Sequence, residues 1–172
     1  GIEVIILYPS GKVSDLQEKQ LTTLGENITA IEVEGTFDDC QAMVKEAFSD
    51  PGLHGKYDLS SANSINIARL IPQSFYYFEG YRQVMHTGLD VVISVPSGNF
   101  GNLTAGLMAK KMGLPVKKFI AATNINKVVP DYLESGIFSP RTSEATISNA
   151  MDVGNPSNFV RILELYHHDL ES

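Results

Sequence analysis

Tryptophan is absent from this 172-residue chain, and cysteine occurs once, at Cys40. A single cysteine cannot close an internal disulfide, and no Cys/His cluster has the spacing of a metal site. Cys40 falls in the stretch Phe37–Phe48 with no histidine near it, so it reads as a small apolar residue on a helix rather than a catalytic thiol. A lone thiol fits a reducing, cytoplasmic setting. Positive charge is also scarce: 13 Lys plus Arg stand against 20 Asp plus Glu, a net charge of −7. Such a chain repels phosphate backbones and anionic lipid heads, so neither nucleic acid nor a membrane surface is expected as a partner. No apolar run approaches the roughly 18 to 20 residues of a membrane-spanning helix, and no secretory leader is visible. Nor is there an initiator methionine; the chain opens on a strand-like run from Gly1 to Leu7. A buried strand needs neighbours and a covering helix, so we expect an internal piece of a longer protein.

What is present reads as an ordinary globular chain, 43% hydrophobic and 19% charged. Apolar runs mark strands at Val4–Leu7, Ile28–Val33, Val91–Val95 and Lys117–Ala122. Between them lie helical patterns. Ser14 caps a helix over Asp15–Leu24, with Leu16, Leu21 and Leu24 as its apolar stripe and Gly25 closing it. Thr36 or Asp38 starts a second over Phe37–Phe48, with Ala42, Met43, Ala47 and Phe48 inward. Further helices are expected over Ile65–Phe78, Leu103–Met112, Val128–Ser135 and Phe159–His167, the last capped by Ser157. Tyr76, Tyr77 and Tyr81 are expected in the core. Strand–helix alternation defines an α/β fold with a doubly wound, mainly parallel sheet. Four strands are few for such a sheet, which again fits part of a larger domain.

The sharpest local feature is the stretch Ser97–Gly106, SGNFGNLTAG, which follows a strand and opens a helix. Successive backbone N–H groups in such a turn can point at one anion, and the helix dipole favours negative charge there. Gly98 and Gly101 let the backbone bend and approach a phosphate, while Asn99 and Asn102 add amide donors and tolerate left-handed angles. The stretch lacks the Gly-Lys-Ser/Thr ending of a nucleotide P-loop and the G-x-G-x-x-G spacing of dinucleotide sites. An ordinary Asn/Gly turn is the competing reading.

A second polar string, Leu59–Arg69, places Asn63, Ser64 and Asn66 at an expected helix start. Arg69 follows about 1.5 turns later on the same surface. A helix start with one arginine suits a carboxylate or phosphate. A simple cap, or a structural ion pair of Arg69, would account for the same residues.

The stretch Val95–Gly106 (VPSGNFGNLTAG) resembles the glycine-rich loop of the tryptophan-synthase-like, fold type II enzymes that use pyridoxal 5′-phosphate (PLP). Within that class VPSGNFGN is closest to the threonine synthase family. Leu7-Tyr8-Pro9 with Ser14–Gln20, Ser61–Asn66 and Ser148–Asn158 resemble further strings of that family, in the same order, so the resemblance covers essentially the whole chain. It implies an enzyme that converts O-phospho-L-homoserine and water to L-threonine and phosphate. It also implies that Gly98, Asn99, Phe100, Gly101 and Asn102 hold the PLP phosphate. The substrate phosphate would fall to Asn63, Ser64 and Arg69. Asp152 and Asn155 would line the cofactor's face. The family's Schiff-base lysine lies in a Ser-Phe-Lys-Asp-like string, and no lysine here sits in one. The N-terminal part and the C-terminal end of the family are therefore expected to be missing, no catalytic residue is assigned within the chain, and the chain alone is expected to be inactive. The oligomeric state stays open, with a monomer among the options. Two other readings remain: another fold type II lyase of the threonine dehydratase or cysteine synthase type, or a non-catalytic relative that binds PLP or a phosphorylated metabolite.

Overall fold

The computed structural model describes residues 1–168. The chain divides into two compact units, one ending at Leu59 and the other beginning at Ser60. Among the described residues all strand pairing is parallel, as the strand–helix alternation requires, and the four strands fall into two two-stranded sheets.

In the first unit, β1 (Val4–Pro9) pairs with β2 (Ile28–Val33) in the register Val4↔Ile28 through Pro9↔Val33. Helix α1 (Asp15–Thr22) starts at a capping box in which Ser14 and Gln17 satisfy each other's backbone N–H groups. It ends earlier than the apolar pattern suggests. The hydroxyls of Thr22 and Thr23 bond back to the carbonyls of Glu18 and Lys19, and Gly25 and Glu26 then turn the chain through positive φ. The expected stripe is not buried: Leu16 is 69% exposed and Leu24 52%. Helix α2 (Phe37–Ser49) is capped by Thr36, whose backbone N–H and hydroxyl both donate to the Asp39 carboxylate and hold its pKa below the usual range. That start sets the helical phase, so Cys40 and Gln41 are buried while Ala42 and Met43, expected inside, face out. Cys40 packs as an apolar residue, and burial pushes its thiol pKa up. A short turn of helix, α3 (Pro51–His54), closes the unit on an Asp50 cap.

In the second unit, a 3-10 turn (Ile67–Arg69) leads into α4 (Leu70–Val84). The long helix thus starts later than expected and runs further. Pro72, which has no N–H to donate, sits in its first turn, where none is needed. The three tyrosines lie within α4; Tyr77 is buried, Tyr81 packs against the core, and Tyr76 is 74% exposed. Strand β3 (Val92–Pro96) pairs with β4 (Lys118–Ala122), Val92↔Lys118 through Pro96↔Ala122. Helix α5 (Gly101–Lys111) connects them and packs against α4. The approach is close at Gly106, where a Cβ would stand 2.8 Å from the Tyr77 ring. Helices α6 (Val128–Ser135) and α7 (Phe159–Leu165) complete the unit, with Phe159 packed among Phe100, Tyr132 and Phe138. Among the described residues no helix is long and apolar enough to cross a membrane.

Candidate functional site

Strand β3 delivers the chain to the glycine-rich loop. Ser97 N–H donates to the Ala122 carbonyl at 2.8 Å, continuing the parallel ladder, and the next residues leave the sheet. The turn into α5 is made by Phe100, which has φ +62° and serves as the helix N-cap. This corrects the sequence expectation: Gly98, Asn99, Gly101 and Asn102 all keep negative or ordinary φ, and the left-handed residue is the phenylalanine. Its ring is buried against Phe159, and that packing holds a conformation uncommon for a bulky side chain. The glycines serve proximity instead. A Cβ at Gly98 would stand 2.6 Å from Met151 Cα, and one at Gly101 would stand 2.7 Å from Ser64 Cβ.

Along this turn the backbone N–H groups from Gly98 to Leu103 have no acceptor among the described residues; the first helical bond is Thr104 N–H to the Phe100 carbonyl, 2.9 Å. Helix starts leave such groups over, but the run here begins before the helix does. Several of these residues are buried, so the donors face an environment where an unpaired N–H is costly.

The two asparagines are used structurally. Asn99 donates from Nδ2 to Ser64 Oγ (3.2 Å) and accepts at Oδ1 from Ser157 N–H (2.7 Å) and Ser157 Oγ (3.1 Å). Ser157 is therefore spent on the loop, and no side chain caps α7. The Tyr77 hydroxyl lies 2.8 Å from both the Asn102 carbonyl and Asn102 Oδ1, and burial pushes its pKa up to about 12.

The second string turns ahead of a helix start, with Asn63 and Ser64 in the turn and Asn66 at the cap of the 3-10 helix that leads into α4. Asn63 N–H donates to Ser61 Oγ, Asn66 N–H to the Asn63 carbonyl, and Asn66 caps the 3-10 turn through Ala68 N–H. The Arg69 guanidinium returns to the string and donates to the Ala62 carbonyl. No carboxylate pairs with Arg69 among the described residues, and both Asn63 and Arg69 are exposed. Ser64 turns the other way. Its Oγ accepts from Asn99 Nδ2 and from Asn158 Nδ2 (3.0 Å), so of the three residues it alone meets the glycine-rich loop.

Two residues that sequence reasoning missed hold this junction. Asn158 is fully buried, and Arg161 spreads its guanidinium over the carbonyls of Ser64 and Ile65 and Asn158 Oδ1. Nothing near Arg161 in sequence marks it, because its partners at Ser64 and Ile65 lie 97 and 96 positions away. Asp152, expected to line the site, is the centre of a network: it accepts from Asn124 Nδ2, Asn126 Nδ2, Thr146 N–H and Thr146 Oγ1. Asn155 is exposed. Among the described residues no cluster of His, Cys, Asp or Glu could hold a metal ion.

The second unit is thus a parallel α/β unit whose strand β3 opens, through an amide-lined turn, onto a helix, with two polar loops braced against that turn. Compared with known proteins, the chain is homologous over almost its whole length to threonine synthase. It is 55% identical to threonine synthase of Escherichia coli strain K12 over 171 residues, 99% of this chain and 40% of that protein. The crystal structure of threonine synthase from Escherichia coli superposes with a TM-score of 0.91 at 56% identity, covering 96% of this chain and 39% of that one. PLP-bound threonine synthase from Brucella melitensis gives 0.79 at 41% identity, over 98% and 37% of the two chains. The chain spans about 40% of the length of the curated relatives it matches. No family model matches.

Proposed function

We propose that the full-length protein carrying this chain is a threonine synthase that converts O-phospho-L-homoserine and water to L-threonine and phosphate in the cytoplasm. The chain contributes two anion sites to it: Gly98–Asn102 for the phosphate of PLP, and Asn63, Ser64 and Arg69 for the phosphate of the substrate. The run of N–H groups from Gly98 to Leu103 without an acceptor among the described residues carries this reading. It fits a phosphate monoester, which brings several acceptor oxygens and takes charge-assisted bonds from backbone donors. The glycines fit it too, since a Cβ at either position would strike a neighbouring loop and displace the turn. Bound there, PLP supplies the electron sink that the reaction needs.

The chain's own residues bind and orient. Phe100 and the start of α5 fix the amides, Asn99 and Ser64 lock the turn to the substrate string, and Arg69 offers an exposed guanidinium without a carboxylate partner. An arginine that meets a carbonyl but no carboxylate among the described residues favours a threonine synthase over lyases that handle no second phosphate. The 172-residue chain by itself has no turnover, because none of its lysines occupies the expected string. The test is direct. Full-length protein with PLP and O-phospho-L-homoserine should release threonine and phosphate in equal amounts, and the 172-residue chain should release neither. No product from the full-length protein would overturn the assignment, and product from the short chain would overturn its inactivity.

A further inference from the structure

Arg161 is a cation that meets no anion among the described residues. Its guanidinium donates to two backbone carbonyls and to the amide oxygen of Asn158, all neutral, and no carboxylate reaches it among the described residues. It is partly buried, and Asn158 and Ser64, which join it to the glycine-rich loop, are buried or half-buried. Ser64 bridges the two directly: its carbonyl takes one arm of the Arg161 guanidinium, the other going to the Ile65 carbonyl, while its Cβ lies where a Cβ of Gly101 would touch it. A guanidinium removed from water and left unpaired is unfavourable unless a counter-charge completes the site. Burial lowers the Arg161 pKa, because desolvation disfavours the cation.

We propose that Arg161 is a positioning and charge-selecting residue: it clamps the Ser64 loop onto Gly101 and leaves one unneutralised positive charge behind the amide-lined turn, so that the site prefers a dianionic phosphate monoester. This rests on the reading of Gly98–Asn102 as a phosphate site. The amides alone would accept any anion of suitable size. The added fixed charge discriminates by ligand charge, because in a partly desolvated site it is poorly screened.

The experiment separates charge from shape. Asn158→Asp keeps the oxygen that Arg161 touches and the side chain's outline but makes the group a carboxylate, which pairs with the guanidinium and cancels its charge; the bond from Asn158 Nδ2 to Ser64 Oγ is replaced by one that the Ser64 hydroxyl donates to the new carboxylate oxygen. Arg161→Gln removes the charge outright, and Arg161→Lys keeps it while losing the fork. PLP is titrated into the full-length apo-proteins at about pH 8, where a phosphate monoester with a second pKa of about 6 is a dianion. The dissociation constant should rise about tenfold or more in Asn158→Asp and in Arg161→Gln, and less in Arg161→Lys. Asn158→Asp should do this while its thermal midpoint holds or rises, an effect that a purely structural clamp does not predict. Unchanged PLP affinity in a folded Asn158→Asp protein overturns the inference. Should Arg161→Gln not fold, the comparison of Asn158→Asp with Arg161→Lys decides alone, and a lysine variant weaker than the aspartate variant also overturns it. Gly101→Ala distinguishes this failure from failure of the site. If it binds PLP as wild type does, the loop is no phosphate site and the inference falls with it. If it loses PLP while Asn158→Asp does not, only the role of Arg161 is wrong.

Discussion

Gly101 faces Ser64 across a gap that admits no side chain: a Cβ at position 101 would stand 2.7 Å from Ser64 Cβ and 3.4 Å from Asn158 Nδ2. Ser64 cannot easily retreat, because Arg161 grips its carbonyl while Asn99 and Asn158 hold its hydroxyl. Gly101→Ala should therefore destabilise by overpacking, by about 1–3 kcal/mol. It should also displace the amides of the turn and weaken PLP binding about tenfold, as expected when about 1.4 kcal/mol of phosphate contact is lost. Denaturant midpoints and PLP titration of the full-length protein measure the two effects. Backbone angle is not the cause, since Gly101 lies outside the positive-φ region.

Arg69 offers a way to separate the two proposed phosphate sites. Its guanidinium meets the Ala62 carbonyl and no carboxylate among the described residues, and nothing hydrogen-bonds it to the glycine-rich loop. On the proposed activity, Arg69→Ala in the full-length protein should raise KM for O-phospho-L-homoserine about tenfold or more, the effect of losing a charge-assisted bond worth about 1.5–3 kcal/mol. PLP affinity should not move. Steady-state kinetics beside a PLP titration decides it, and an unchanged KM would remove Arg69 from the substrate site.

Much of this was legible in the sequence because it is local. Four apolar runs became four strands, displaced by at most a residue or two at their ends, and Ser14 capped its helix as read. The glycine-rich turn was visible for the same reason, since strand, turn and helix are contiguous. The source of its curvature was not. Asn and Gly are the usual left-handed residues, and only the burial of the Phe100 ring against Phe159, far along the chain, moves that role to Phe100. Arg161 and Asn158 escaped altogether because no periodicity or spacing links them to Ser64. Leu16 and Leu24 mislead in the opposite sense: an apolar stripe marks a helix face that can pack, not one that is covered in this chain.

Tyr77 couples α4 to the start of α5, its hydroxyl set on Asn102 and its ring on Phe119 and Gly106. Burial raises its pKa from the ordinary 10.0 to about 12. The unfolded chain then loses this proton near pH 10 while the folded one keeps it. The stabilisation is thus complete below pH 10 and lost as pH rises toward about 12. In Tyr77→Phe the alkaline loss of stability should be smaller, set against a loss of about 1 kcal/mol at neutral pH from the missing hydrogen bond. Chemical denaturation across the alkaline range reads both. An identical alkaline slope in the two proteins would show that Tyr77 does not titrate with unfolding.

Asp152 governs the segment that backs the glycine-rich turn. Its carboxylate accepts four bonds, from Asn124 Nδ2 at 2.7 Å, Asn126 Nδ2 at 3.2 Å, Thr146 N–H at 2.8 Å and Thr146 Oγ1 at 2.7 Å. Every partner in that set is donating. Asp152→Asn keeps the shape but puts an NH₂ group where acceptors are required, so at least one donor loses its partner and faces another donor. A cost of about 2 kcal/mol follows for leaving part-buried donors unsatisfied. The damage should spread along the chain in a defined way. Asn126 also clasps Glu144 through both its carbonyl and its N–H, Arg141 N–H bonds the Gly154 carbonyl, and Met151 closes over Gly98. Amide exchange should therefore accelerate at Thr146, Glu144 and Arg141, while the β3–β4 ladder keeps its protection. Asn155→Ala, an exposed change in the same segment, should alter stability by no more than about 0.5 kcal/mol. Hydrogen exchange resolved by residue, with midpoints for both variants, provides the check. Unchanged exchange at Thr146 in Asp152→Asn would mean that the segment is held by its backbone contacts and not by this carboxylate.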